Sequence, residues 1–320
     1  MTNNPYLFSP NRTARLRKVI KEVEGNDQSL NTAVTERAKT LIKSRLHKGT
    51  YELSTDASRP DGRLVCIGPG GAFHQAWTTV DKTYGDASWA AHRRGAEATN
   101  LPDIVWDAYD LDPIPLPRGE TEAIVCQHVI EHLTEPATHH LLTEAHRLLQ
   151  DGGVLRLSSP DANLFFDAYD REDWAFFWEH DIIYAETASP ELFRQMEETD
   201  RREYAAYSML SKMSLVTLDE NPTTVSYGDC AAFVAEAGGA QAAVTKACAA
   251  SDADLNRSLG RHITWWSVDR LREAMRRAGF TDIRRSAYLQ SQSPLMRNAF
   301  FFDRTDPHQT VFVEACKPAE

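Results

Sequence analysis

Leu64-Val65-Cys66-Ile67-Gly68-Pro69-Gly70-Gly71 is an apolar run that ends in a glycine turn, and Trp77-Thr78-Thr79-Val80-Asp81 is a second such run that ends in a carboxylate. The first reads as a buried strand feeding a tight loop, where missing Cβ atoms let backbone groups approach a ligand closely. The acid closing the second strand stands where a carboxylate can accept both hydroxyls of a ribose. A dinucleotide-binding turn needs a further glycine where Phe73 stands, so a nicotinamide or flavin reading loses support.

Outward from this pair the same grammar continues. Ile104-Val105-Trp106 and Glu122-Ala123-Ile124-Val125-Cys126 read as strands three and four. Leu141, Leu142, Ala145, Leu148 and Leu149 then mark one face of a helix, with Asp151-Gly152-Gly153 as its expected stop and Val154-Leu155-Arg156-Leu157 as strand five. After a long departure, Ser267 caps a helix carrying Leu271, Ala274, Met275 and Ala278, and two strands follow near residues 283–289 and 310–315. Strands alternating with helices imply an α/β fold. The expectation is a doubly wound, mostly parallel, seven-stranded Rossmann-like sheet. Residues 1–60 read as an N-terminal helical arm, 61–161 and 263–320 as the α/β core, and 162–262 as a helical insertion after strand five.

Composition narrows the partners. Thirty-five Lys and Arg against 46 Asp and Glu give a formal charge of −11 over 320 residues, which disfavours a polyanion, so no nucleic acid is expected. No apolar run is long enough to span a bilayer and the polar start lacks a signal-peptide core, so a cytoplasmic protein without a membrane partner is expected. Cys66, Cys126, Cys230, Cys248 and Cys316 are odd in number and form no CxxC pair, which suits buried reduced thiols.

These motifs, in this order, resemble those of the class I S-adenosylmethionine-dependent methyltransferases. Residues 64–71 look like the family's first motif, and Phe73 to Asp81 resembles a short-loop subgroup in which the turn reaches the ribose acid almost without a helix. Asp110, the Ile114-Pro115-Leu116-Pro117 turn, Glu122 and the LEHL-like Val129-Ile130-Glu131-His132-Leu133 follow, and Gln150-Asp151-Gly152-Gly153 and Ala278-Gly279-Phe280 match later motifs. Cys66 and Pro69 depart from the pattern: the family often has an acid or amide at the first, and proline stiffens the loop and removes a donor. The resemblance implies S-adenosyl-L-methionine as cofactor, held by Gly68, Pro69, Gly70, Gly71, Asp81, Asp110 and Leu111, with Gln127 and His128 flanking the transferring methyl. The implied activity is methyl transfer to the oxygen or nitrogen of a small molecule, of a secondary-metabolite or sugar type.

The remaining chemistry-bearing residues have competing readings. His128 and His180 are the candidate general bases, since imidazole titrates near neutral pH. Trp174, Trp178 and His180 are the candidate acceptor-side residues, expected on a lid over the strand ends, although an aromatic stripe equally suits a core. His128-Val129-Ile130-Glu131-His132 also fits an H-x-x-E-H zinc signature, which makes a zinc hydrolase using His128, Glu131 and His132 an alternative. That chemistry needs both histidines on one helical face, whereas His128 directly follows a strand, so no resident metal is expected. His139, His140 and His146 are expected to be solvated. A non-catalytic partner-binding module is the other alternative, and the arm and insertion are the surfaces open to homodimer formation.

Overall fold

The computed structural model describes residues 62–69, 76–83, 102–178, 194–297, 302–303 and 305–319. The expected arm therefore lies outside the described residues. Strand β1 (Leu64–Ile67) is buried throughout because its alternating side chains enter two different cores. Val65 and Ile67 join a large cluster with Leu141, Leu142, Leu148 and Leu271, while Leu64 and Cys66 pack on the other face with Trp77, Met296 and Phe302.

Seven strands form one sheet in the order β3-β2-β1-β4-β5-β7-β6. β2 (Thr78–Asp81) and β4 (Thr121–Gln127) flank β1 in parallel, and β3 (Ile104–Val105) extends the edge beyond β2, also in parallel. β5 (Leu149–Pro160) runs parallel to β4, but β7 (Thr310–Cys316) lies antiparallel between β5 and β6 (Thr281–Ser286). The expected mostly parallel, Rossmann-like sheet is thus observed. Chain direction winds outward both ways from the β1/β4 pair, and a crevice at the carboxyl ends of those strands is where such sheets bind ligands.

One expectation is corrected here. Helix α1 (Glu135–Leu148) does not stop at Asp151-Gly152-Gly153 but passes directly into β5 at Leu149. The two glycines lie inside the strand, beside the register shift between Thr121 and Ala123. Gly152 has φ of 73°, and a Cβ on Gly153 would stand 2.9 Å from the Gln150 carbonyl oxygen. A bulged strand start and a helix stop make the same demand on a residue, a backbone that L side chains avoid.

After β5 come α2 (Ala162–Asp170), α3 (Glu198–Met213), α4 (Cys230–Ala237), α5 (Ala240–Ala249) and α6 (Ala253–Leu259). They bury their own cluster, with Phe165, Phe177, Met209, Val234 and Val244 at its centre. The segment leaves and rejoins the sheet at adjacent points: Asp161 forms a parallel bridge with Trp266, and Ala162 N–H donates to the Trp266 carbonyl at 2.9 Å. Trp265 belongs to the helical cluster and Trp266 to the sheet cluster, and the Arg270 guanidinium lies over both rings, 4.2 Å and 5.1 Å from their centroids. Arg270 extends from α7 (Val268–Arg277), capped by Ser267 as the sequence implied.

Candidate active site at the ends of strands one, two and four

Gly68 ends β1 with φ of 68°, and its N–H donates to the Val80 carbonyl at 2.8 Å. A Cβ there would stand 2.2 Å from Cγ2 of Val129, which crosses from the end of β4. Glycine is therefore required by both the backbone and the neighbour. Pro69 is half-buried beyond it, whereas Gly70 and Gly71 lie outside the described residues. Asp81 closes β2 with a buried side chain whose Oδ1 accepts from Lys82 N–H at 2.9 Å. Beyond β3, Asp110 ends a short 3-10 turn (Ala108–Asp110) capped by the Asp107 carboxylate. Asp110 is exposed, and Leu111 beside it is 55% exposed with φ of 57°.

At the mouth of β4, Gln127 Oε1 accepts from Asp303 N–H at 2.6 Å, so its carboxamide oxygen is engaged toward β7. His128 has φ of 53°, and its N–H donates to the Ser158 carbonyl. Its Nε2 lies 2.9 Å from Thr310 Oγ1 and its Nδ1 3.0 Å from Glu131 Oε1. Glu131 and His132 sit on a single 3-10 turn (Ile130–His132), so His128 and His132 do not share a helical face and the H-x-x-E-H zinc geometry is not formed. Glu131 instead meets a residue the sequence reading passed over: His262 Nε2 lies 3.9 Å from Glu131 Oε1, and the His262 and His132 rings stack edge to face at 4.7 Å. Burial pushes the Glu131 carboxyl up, but the neighbouring His128, His132 and His262 outweigh it and hold the group down at about 2. Burial, helped by His132, depresses His262 to about 4, and burial also lowers His132.

Trp174 and Trp178 are both buried. The Trp174 indole N–H donates to Glu198 and its ring packs on Tyr169, while Trp178 meets Tyr204 with ring centroids 4.8 Å apart. His180 lies outside the described residues. His139 is exposed as expected, but His140 and His146 are not fully solvated: His140 Nε2 lies 2.8 Å from the Asp112 carbonyl oxygen and His146 packs edge-on against Phe280. All five cysteines are free thiols, three of them buried and Cys248 and Cys316 half-buried. No helix among the described residues is long and apolar enough to cross a membrane.

Residues 65–157 match the family model of a methyltransferase domain. Together with the strand order, this defines the α/β core as a class I S-adenosylmethionine-dependent methyltransferase fold. No curated protein matches the chain. Among solved structures, a chain from the complex between the Haloferax volcanii Trm112 methyltransferase activator and a methyltransferase is 13% identical, with 92% of this chain and 99% of that one covered, at a TM-score of 0.35. The methyltransferase SibL in its apo form is 12% identical, with 99% and 70% covered, at 0.36. Human N-acetylserotonin methyltransferase in complex with S-adenosylmethionine is 12% identical, with 80% and 48% covered, at 0.33.

Proposed function

We propose that the chain is a methyltransferase that moves the methyl group of S-adenosyl-L-methionine to an oxygen or nitrogen of a small molecule. The observation that carries this reading is the buried Asp81 carboxylate at the end of β2, beside the glycine turn of β1, at the point where the sheet changes winding direction. Asp81 would hold the ribose, Asp110 and Leu111 would border the adenine, and the turn from Gly68 to Gly71 would receive the methionine end. The bound cofactor supplies an electrophilic methyl on a sulfonium. The chain aligns the acceptor with it and takes up a proton where the nucleophile needs one. His128, at the strand-four mouth, is the base candidate among the described residues, and His180 retains the same proposed role.

Trp174, Trp178 and the surrounding helices are proposed to shape the acceptor side, through a scaffold that packs beside the exit from β5. Shielding the sulfonium from water would give that scaffold a mechanistic use. The decisive experiment is titration calorimetry with S-adenosylhomocysteine. Wild type should bind, and Asp81→Ala should bind about 10- to 100-fold more weakly, the value of about 1.5–3 kcal/mol for hydrogen bonds to a charged group. Absence of wild-type binding in a folded sample removes the assignment.

A further inference from the structure

We propose that Glu131, His132 and His262 form a binding site for one divalent transition-metal ion of the zinc class, at the junction between the β4 mouth and the chain returning from the helical insertion. One donor atom from each lies within 4.8 Å of the others. Glu131 is 1% exposed, and its one close polar neighbour among the described residues is His128, whose Nδ1 lies 3.0 Å from Oε1. Oε2 has no hydrogen-bond partner there. A buried carboxylate oxygen left without a donor is costly, and a cation held between the carboxylate and two imidazoles removes that cost.

The histidines are oriented as metal ligands are. His132 Nδ1 lies 2.9 Å from the Arg261 carbonyl oxygen, and His262 Nδ1 contacts the Lys212 carbonyl oxygen. A backbone carbonyl only accepts, so each Nδ1 carries the proton and each Nε2 presents its lone pair. The main chain fixes the two segments together: Ile263 and Thr264 N–H both donate to the Glu131 carbonyl, at 2.9 Å and 3.1 Å. Asn256, itself buried, donates through Nδ2 to the His132 carbonyl and accepts from Arg261 N–H.

Two neutral imidazoles and one carboxylate are the donor set of open zinc sites, with bonds of about 2.0–2.2 Å and a remaining position for water or a ligand. A tetrahedral ion with such bonds holds its ligands about 3.3 Å apart, so the 3.9 Å between His262 Nε2 and Glu131 Oε1 would close by about 0.6 Å, and the donor pairs, all within 4.8 Å, by at most about 1.5 Å. The site does not depend on methyl transfer: it would tie the insertion's return segment to the sheet whether or not the cofactor binds.

The test uses the full chain, stripped with a chelator, dialysed, and given zinc chloride alone. Wild type should retain about one equivalent of zinc after desalting and gain thermal stability in proportion to free zinc. Cobalt(II) in its place should show visible ligand-field bands of a low-coordinate nitrogen and oxygen site. Loss of a bonded ligand exceeds the roughly 10- to 100-fold effect of an outer partner, so Glu131→Gln and His262→Ala should weaken zinc binding by about 100-fold or more, with exposed His139→Ala as the unchanged control. Circular dichroism separates ligand loss from unfolding, and His262→Gln serves if the alanine variant does not fold. Wild type that retains no stoichiometric zinc, or a folded His262 variant that binds it as tightly as wild type, overturns the site. S-adenosylhomocysteine calorimetry on the same samples reads the methyltransferase assignment separately.

Discussion

Arg156→Met should lower the free energy of unfolding by about 3–5 kcal/mol, the cost of stripping one partner from a buried ionic group. Arg156 is fully buried in β5, and its guanidinium reaches Asp303 through Nε and Nη2 and Glu314 Oε1 through Nη1, at 3.1, 2.6 and 2.8 Å. Nη1 also donates to Ser286 Oγ and Nη2 to the Ala287 carbonyl. Every strand on that side of the sheet therefore converges on one side chain. Without it, two buried carboxylates face each other with only Leu289 and Gln292 N–H groups to solvate them. Urea denaturation measures the loss, and adding Glu314→Gln to the methionine variant should recover part of it by removing one of the two stranded charges. A midpoint unchanged by Arg156→Met would show that the network contributes nothing. Because Asp303 N–H donates to Gln127 at the β4 mouth, the same variant should also weaken S-adenosylhomocysteine binding.

Gly68→Ala should destabilise the fold by about 2–5 kcal/mol and abolish S-adenosylhomocysteine binding. About 1–2 kcal/mol comes from placing a side chain at left-handed φ, and about 1–3 kcal/mol from overpacking against Val129. The contact of 2.2 Å forces Val129 into another rotamer or moves the turn or the post-β4 segment, and both segments border the proposed cofactor crevice. Gly152→Ala is the matched comparison. Its φ of 73° is similar, yet an added Cβ meets nothing within 4 Å, so only the backbone cost should appear. Equal losses in the two variants would mean that Val129 does not constrain the turn.

The fold was readable because its signals are local. Leu64 to Ile67, the apolar spacing along α1 and the Ser267 cap each fix an element without reference to distant residues. The antiparallel placing of β7 was not readable, since a strand carries no mark of which neighbour it will join. Arg156 shows the same limit: within Val154-Leu155-Arg156-Leu157 it looks like any strand residue, and its partners at 303 and 314 arrive from elsewhere in the chain. The candidate site divides along the same line. Gly68 and Asp81 end consecutive strands and were visible as a pair, whereas His262 is a lone histidine far in sequence from Glu131. Only the packing of the returning segment against the 3-10 turn brings them together. A single observation in the sequence could have hinted at it: Glu131 sits in an apolar run, where a carboxylate needs a partner.

β7 follows every other strand in sequence, yet it fills a place in the interior of the sheet between β5 and β6. Val154 pairs with Cys316, so β5 leaves the ribosome roughly 160 residues before its partner exists. At about 5–20 residues per second that interval is on the order of ten seconds. Throughout it, β5 offers an unpaired edge carrying Arg156 without its carboxylates. The intervening helices have no such dependence, since their cluster draws almost entirely on residues between 162 and 265. The nascent chain can thus pack its helical unit while this side of the sheet is still open, and the sheet closes only once β7 has been made. An exposed strand edge of this kind invites pairing with another chain until β7 covers it.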